Sequence, residues 1–181
     1  LSSTTLTEYD SGGKAEVYLY DLATDTLLCV SCNPTGERPL GPSRIPGAFA
    51  NGAAFAAYKP RALLDSTGRL YFETLDSLTS QDSNNDWDVY QWEAAGAGTC
   101  ASAGGCVNLI SNGQAENGAR FIDASADGAD VFFTTDASLV YNDPGSVDLY
   151  DARVGGGFPV PPVVIPCSGD ACQPLPGEPE D

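Results

Sequence analysis

Leu78-Thr-Ser-Gln-Asp82-Ser-Asn-Asn-Asp86-Trp-Asp88-Val89-Tyr90 decides how the chain is read, because its pattern occurs three times. Leu6, Asp10, Glu16, Val17 and Tyr18 keep the same spacing without a gap. Leu139, Asp143, Asp148, Leu149 and Tyr150 keep it with one residue fewer. Copies two and three extend upstream, where Arg61 to Phe72 parallels Arg120 to Phe133. Recurrence at a long period marks a unit that buries its apolar face by stacking on its neighbours.

Within each copy the local signals are those of strands. Arg69 to Thr74 is aromatic and follows a Thr-Gly turn, and Val131 to Thr135 follows Asp127-Gly128, a hairpin signal. Val17 to Tyr20 and Val89 to Trp92 read as a next strand, Thr26 to Val30 and Cys106 to Ile110 as a last one. Ala48 to Ala57 is Ala-rich, but Gly52 and the flanking Pro46 and Pro60 speak against a helix. A unit of about four strands in roughly 50–70 residues has the size of a propeller blade with long loops.

Ser125-Ala-Asp-Gly-Ala-Asp-Val-Phe-Phe133, followed by Asp148-Leu-Tyr-Asp151, resembles the blades of TolB-like and WD40-like (PD40) β-propellers. With Cys29-Val-Ser-Cys32-Asn33-Pro34 and Cys167-Ser-Gly-Asp-Ala-Cys172, the chain looks like large secreted propellers of actinobacteria. The resemblance spans roughly residues 1–172. Copy two departs from it, with Ser66-Thr67-Gly68 in place of the Asp-Gly turn. The expected fold is therefore all-β, a partial β-propeller of about two and a half blades, each of about four antiparallel strands. The expected divisions are 1–44, the second half of a truncated blade and its connection; 45–117, a full blade with an insertion; 118–172, a full blade; and 173–181, a Pro-rich acidic linker or tail. Closed propellers usually have four or more blades, so the partners expected are the remaining blades of a longer chain or other copies of this one.

Composition narrows the function. The 181 residues carry a formal net charge of −17, which argues against nucleic acid and against an anionic membrane surface, both of which need basic patches. Histidine is absent, and with it go imidazole general bases, Ser-His and Cys-His pairs and imidazole zinc sites. No apolar window is long enough for a transmembrane helix. The N-terminus has no signal-peptide pattern and no initiator Met, so the expectation is a mature or excised piece of a longer product. Six cysteines fall in three close pairs, Cys29 with Cys32, Cys100 with Cys106 and Cys167 with Cys172. Fifteen connectivities exist in principle, and proximity favours three local bridges in an oxidising, extracellular or cell-surface setting.

Asp82, Asn84, Asp86 and Asp88 place oxygen donors at positions 1, 3, 5 and 7, the spacing of a loop that turns alternate side chains onto Ca²⁺. Trp87 stands where an EF-hand has its glycine, and Lys14 replaces Asp86 in copy one. Only the outer acidic pair recurs in all three copies, which points to a hydrogen-bonded turn as the competing reading. Trp87, in a polar loop, is the candidate exposed aromatic for binding a protein or glycan. Tyr18, Tyr90 and Tyr150, like Phe72 and Phe133, recur at one position and read as inter-blade core. Arg61 and Arg120 are expected to pair with acids of a neighbouring blade. The function expected is a non-catalytic secreted or cell-surface propeller segment that provides a binding or assembly surface. The alternatives are a subunit of an extracellular filament or sheet, and a fragment of a carboxylate-dependent hydrolase whose acids would include Glu73, Asp76, Glu93 and Asp123.

Overall fold

A computed structural model describes residues 6–46, 59–141, 143 and 145–157. The Cys167–Cys172 pair and the 173–181 tail lie outside the described residues. Among the described residues ten strands follow in chain order: β1 (Tyr18–Asp21), β2 (Thr26–Cys29), β3 (Ser43–Arg44), β4 (Leu63–Leu64), β5 (Arg69–Thr74), β6 (Asp88–Glu93), β7 (Cys106–Leu109), β8 (Ala119–Ala124), β9 (Asp130–Thr135) and β10 (Asp148–Arg153). All pairings are antiparallel, in three sheets: β1-β2, then β3-β5-β6-β7 with β4 also on β5, then β10-β9-β8. The protein is all-β, as its alternating aromatic and β-branched segments imply.

The Ser-x-Asp-Gly motif works as a knot between β8 and β9. Ser125 Oγ donates to Asp127 Oδ1, which accepts the Ala129 N–H, while Ser125 Oγ also accepts the Asp130 N–H. Gly128 closes the turn at φ +69, a conformation that only glycine adopts without strain. The second sheet does without the Asp. There a 3-10 turn at Asp65–Thr67 ends on Gly68 at φ +65.

The sheets stack face to face through two apolar layers. Val17 and Val30, which flank the strands of the first sheet, pack with Leu70, Phe72, Tyr90 and Trp92 of the second. Tyr71, Val89 and Leu64, from the second sheet's other face, pack with Phe121, Val131 and Phe133 of the third. Successive side chains on a strand point to opposite faces, so a strand covered on both faces is buried at every position and one covered on a single face alternates. β6 is buried throughout, whereas β9 alternates between buried and half-buried.

Register also settles how the copies correspond. Ser43 and Arg44 pair with Thr74 and Glu73, as Ala119 and Arg120 pair with Thr135 and Thr134. Leu63 and Leu64 pair with the other end of β5. The first strand of the second sheet is thus split into β3 and β4, and by register the break falls where β8 carries a bulge between Phe121 and Asp123. Arg44, not Arg61, is the counterpart of Arg120, and the second sheet begins by Ser43, two residues ahead of the expected boundary.

Candidate functional site

The loop from Asp82 to Asp88 is held by hydrogen bonds. Asp82 accepts the Tyr90 hydroxyl at 2.5 Å and is bonded by the Asn84 backbone N–H. Asp10 and Asp143 accept the N–H two residues on in the same way, from Gly12 and Gly145. Asn84 Oδ1 accepts the Asp86 N–H, its amide donates to Ala115 O, and Asp86 Oδ1 accepts the Trp87 N–H. Asp88 takes the Ser111 hydroxyl at 2.5 Å. These bonds account for the loop as an Asx-turn that recurs in all three copies. Among the described residues no three Cys, Asp or Glu side chains gather to hold a metal ion. Asp82 Oδ1 and Asp88 Oδ2 have no hydrogen-bond partner. If the hydrogen bonds alone hold the loop, exchanging EDTA for millimolar Ca²⁺ leaves the melting temperature unchanged in differential scanning fluorimetry, and a rise of several degrees favours the calcium reading instead.

Around Asp88 lies a device that recurs in the first sheet. Ser111 Oγ donates to Asp88 and accepts the Val89 N–H. Ser31 Oγ donates to Glu16 at 2.5 Å and accepts the Val17 N–H. In both sheets an acid precedes a valine, and a serine just past the last strand closes the pair. Each acid is 0% exposed, and each keeps one oxygen, Glu16 Oε1 or Asp88 Oδ2, without a hydrogen-bond partner. Burial pushes the Asp88 carboxyl up to about 6, with the Asp82 charge adding to the effect. Burial also raises Glu16 and Asp82. Raised carboxyls are what an acid catalyst needs, but these are sealed inside the sheet stack, out of reach of a substrate.

Glu73 and Glu93 are engaged as well. Glu73 Oε2 holds Arg44 at 2.6 Å, and its Oε1 accepts the Phe121 N–H of the third sheet. Glu93 holds Arg69, whose Nη1 donates to Gly128 O across the same junction. Asp76 accepts from Asn33 and from the Leu40 N–H, and Arg61 pairs with Asp123. The four acids named as hydrolase candidates thus tie sheets and loops together. The Arg69–Glu93 pair reappears in the third sheet with its charges exchanged, as Asp130–Arg153 at the same register.

Trp87 is half-buried, with the Arg44 guanidinium carbon 3.9 Å from its ring centre and that of Arg120 at 5.6 Å. It is a stacking partner for arginine at the junction of two sheets rather than an open aromatic platform. Sequence reasoning missed Ser31 and Ser111, although both follow an apolar residue directly after a last strand. It also missed Arg44, hidden by the inserted segment.

Among the described residues, apolar side chains stand open on the third sheet. Val89 of the second sheet is 0% exposed, beneath the third. Its counterpart Leu149 is 61% exposed, and Val147 is 69% exposed. At the other end of the stack, Tyr20 of the first sheet is 51% exposed. The bridges Cys29–Cys32 and Cys100–Cys106 are formed, with Cα separations of 5.5 and 5.6 Å, and none of the described cysteines is free. The second bridge closes the β6–β7 hairpin against Trp92, whose ring leaves no room for a Cβ at Gly105. Among the described residues no helix is long and apolar enough to cross a membrane. No family model matches the chain, and neither a curated protein nor a solved structure matches it.

Proposed function

We propose that this chain is a non-catalytic segment of a secreted or cell-surface β-propeller whose third blade offers an assembly surface. The observation that carries the reading is the outer face of the third sheet. It repeats the face with which the second sheet buries the third, yet its apolar residues stand open at Leu149 and Val147. Exposed apolar faces of this kind serve association. The two bridges fit an oxidising compartment. The engagement of the candidate acids in structural bonds favours assembly over hydrolysis. Sedimentation velocity tests the proposal. The chain is expected to associate as its concentration rises, and Leu149→Lys is expected to abolish association while leaving far-UV circular dichroism unchanged. A wild-type chain that stays monomeric at millimolar concentration overturns the assembly reading.

A further inference from the structure

Register places Arg120, Thr134 and Leu149 side by side across the third sheet, as it places Arg44, Glu73 and Val89 across the second. In the second sheet this row is complete. Arg44 is held by Glu73, Glu73 reaches over to the Phe121 N–H of the next sheet, and Val89 is buried. In the third sheet Thr134 stands where the acid would be. Of the six arginines in the sequence, Arg38, Arg44, Arg61, Arg69 and Arg153 are ion-paired. Arg120 has no carboxylate within ion-pair distance among the described residues. Its contacts are its own Ala119 carbonyl and the Trp87 ring at 5.6 Å. Among the described residues, this arginine lies beside an open apolar face without a carboxylate partner.

The other end of the stack supplies a matching surface. Tyr18, Tyr20 and Leu27 of the first sheet hold the places that Tyr90, Trp92 and Val107 hold in the second. Tyr90 and Trp92, with Val107 packed beside them, are the residues with which the second sheet covers the first. On the first sheet this side is open at Tyr20, while the Tyr18 hydroxyl beside it is buried without a hydrogen-bond partner.

We infer that the third sheet's outer face docks the Tyr18–Tyr20 face of a second copy, head to tail, and that the incoming copy seats a carboxylate on Arg120. This rests on the assembly reading above and adds the partner and its recognition chemistry. The contact is heterologous, so it builds a closed ring or an open filament. The missing acid makes the third sheet selective for a partner that brings one, since a guanidinium covered without a counter-charge opposes association.

The experiment is sedimentation velocity on the full chain with four single variants, each checked for an unchanged melting temperature. Arg120→Ala removes the cation, and Thr134→Glu supplies in the same chain the acid that the second sheet has. Each is expected to weaken self-association by about tenfold or more, the scale of a lost charge pair at an interface. Tyr20→Lys, at the opposite end of the molecule, is expected to weaken it as Leu149→Lys does. If Leu149→Lys abolishes association but Arg120→Ala and Thr134→Glu do not, the surface stands and the carboxylate recognition is overturned. If Tyr20→Lys has no effect, head-to-tail pairing is overturned. If the wild-type chain does not associate, this inference falls with the assembly reading.

Discussion

Phe121→Ala is expected to cost about 3–5 kcal/mol of folding stability, the range for truncating a buried aromatic when the surroundings close only partly over the gap. Phe121 is 5% exposed on β8, and its ring stacks on Tyr71 of the second sheet at 5.4 Å between centroids. Its N–H is also the group that Glu73 holds across the junction. Truncation therefore opens a cavity between two sheets rather than inside one. If the sheets form a single cooperative unit, urea unfolding followed by Trp fluorescence and by circular dichroism moves to lower denaturant together, with one transition on both probes. The neighbouring bulge residue Ile122 is 39% exposed, and Ile122→Ala is the control, expected to change stability by about 0.5 kcal/mol or less. A cost for Phe121→Ala below about 1 kcal/mol would mean that the second and third sheets do not share a core.

The strands were legible because short, alternating, turn-bounded runs such as Arg69–Thr74 and Asp130–Thr135 carry their own period and punctuation. The stacking was legible in part. Tyr90 and Phe72 do pack between sheets, as recurrence at one repeat position implied, and their rings stack at 5.8 Å. What stayed hidden depends on register. Arg61 aligns with Arg120 by spacing, yet the inserted segment divides the first strand and gives that place to Arg44. Which of the two is right depends on which residue of β5 lies opposite, and no linear pattern encodes that. The oxygen spacing from Asp82 to Asp88 suggests a cation, but sequence shows donors and not the groups that bond them in the fold. Tyr90, on β6, and Ser111, just past β7, each bond one oxygen of Asp82 and Asp88, and both lie outside the Asp82–Asp88 spacing. The open face of the third sheet was beyond reach for a similar reason. Leu149 and Val89 look alike in sequence, and only the stack decides which is covered.

Stability is expected to fall as pH rises from about 4 to about 7.5, against the usual behaviour of an acidic protein with ion-paired carboxylates. Burial pushes the Asp88 carboxyl from an ordinary 3.8 in the unfolded chain up to about 6 in the fold, so the native state binds the proton more tightly. Its contribution is fully present below about pH 4 and is lost as pH climbs through about 6. At about 1.4 kcal/mol per unit, the shift corresponds to about 3 kcal/mol. Glu16 and Asp82, raised by burial, act in the same sense. Opposing them are Asp10, Asp21 and Asp127, which are lowered chiefly by hydrogen bonds from Arg38, the Ala23 N–H and Ser125. These are solvent-facing, and water screens their effect. Self-repulsion at a net charge of −17 also grows with pH, but added salt suppresses it, whereas salt does little to the cost of ionising a carboxyl that water cannot reach. Urea midpoints measured at pH 5, 6 and 7.5, in 0.15 M and in 1 M NaCl, separate the two contributions. The buried acids predict a decline that survives high salt. Asp88→Asn keeps an acceptor for Ser111 Oγ without the titration, so it is expected to flatten the decline and to equal or exceed the wild type at pH 7.5. A wild-type midpoint that holds level or rises between pH 5 and pH 7.5 would remove the buried-acid account. The sealed carboxyls would then have to be charged in the folded state already at pH 5, stabilised by something other than the hydroxyls of Ser31, Ser111 and Tyr90.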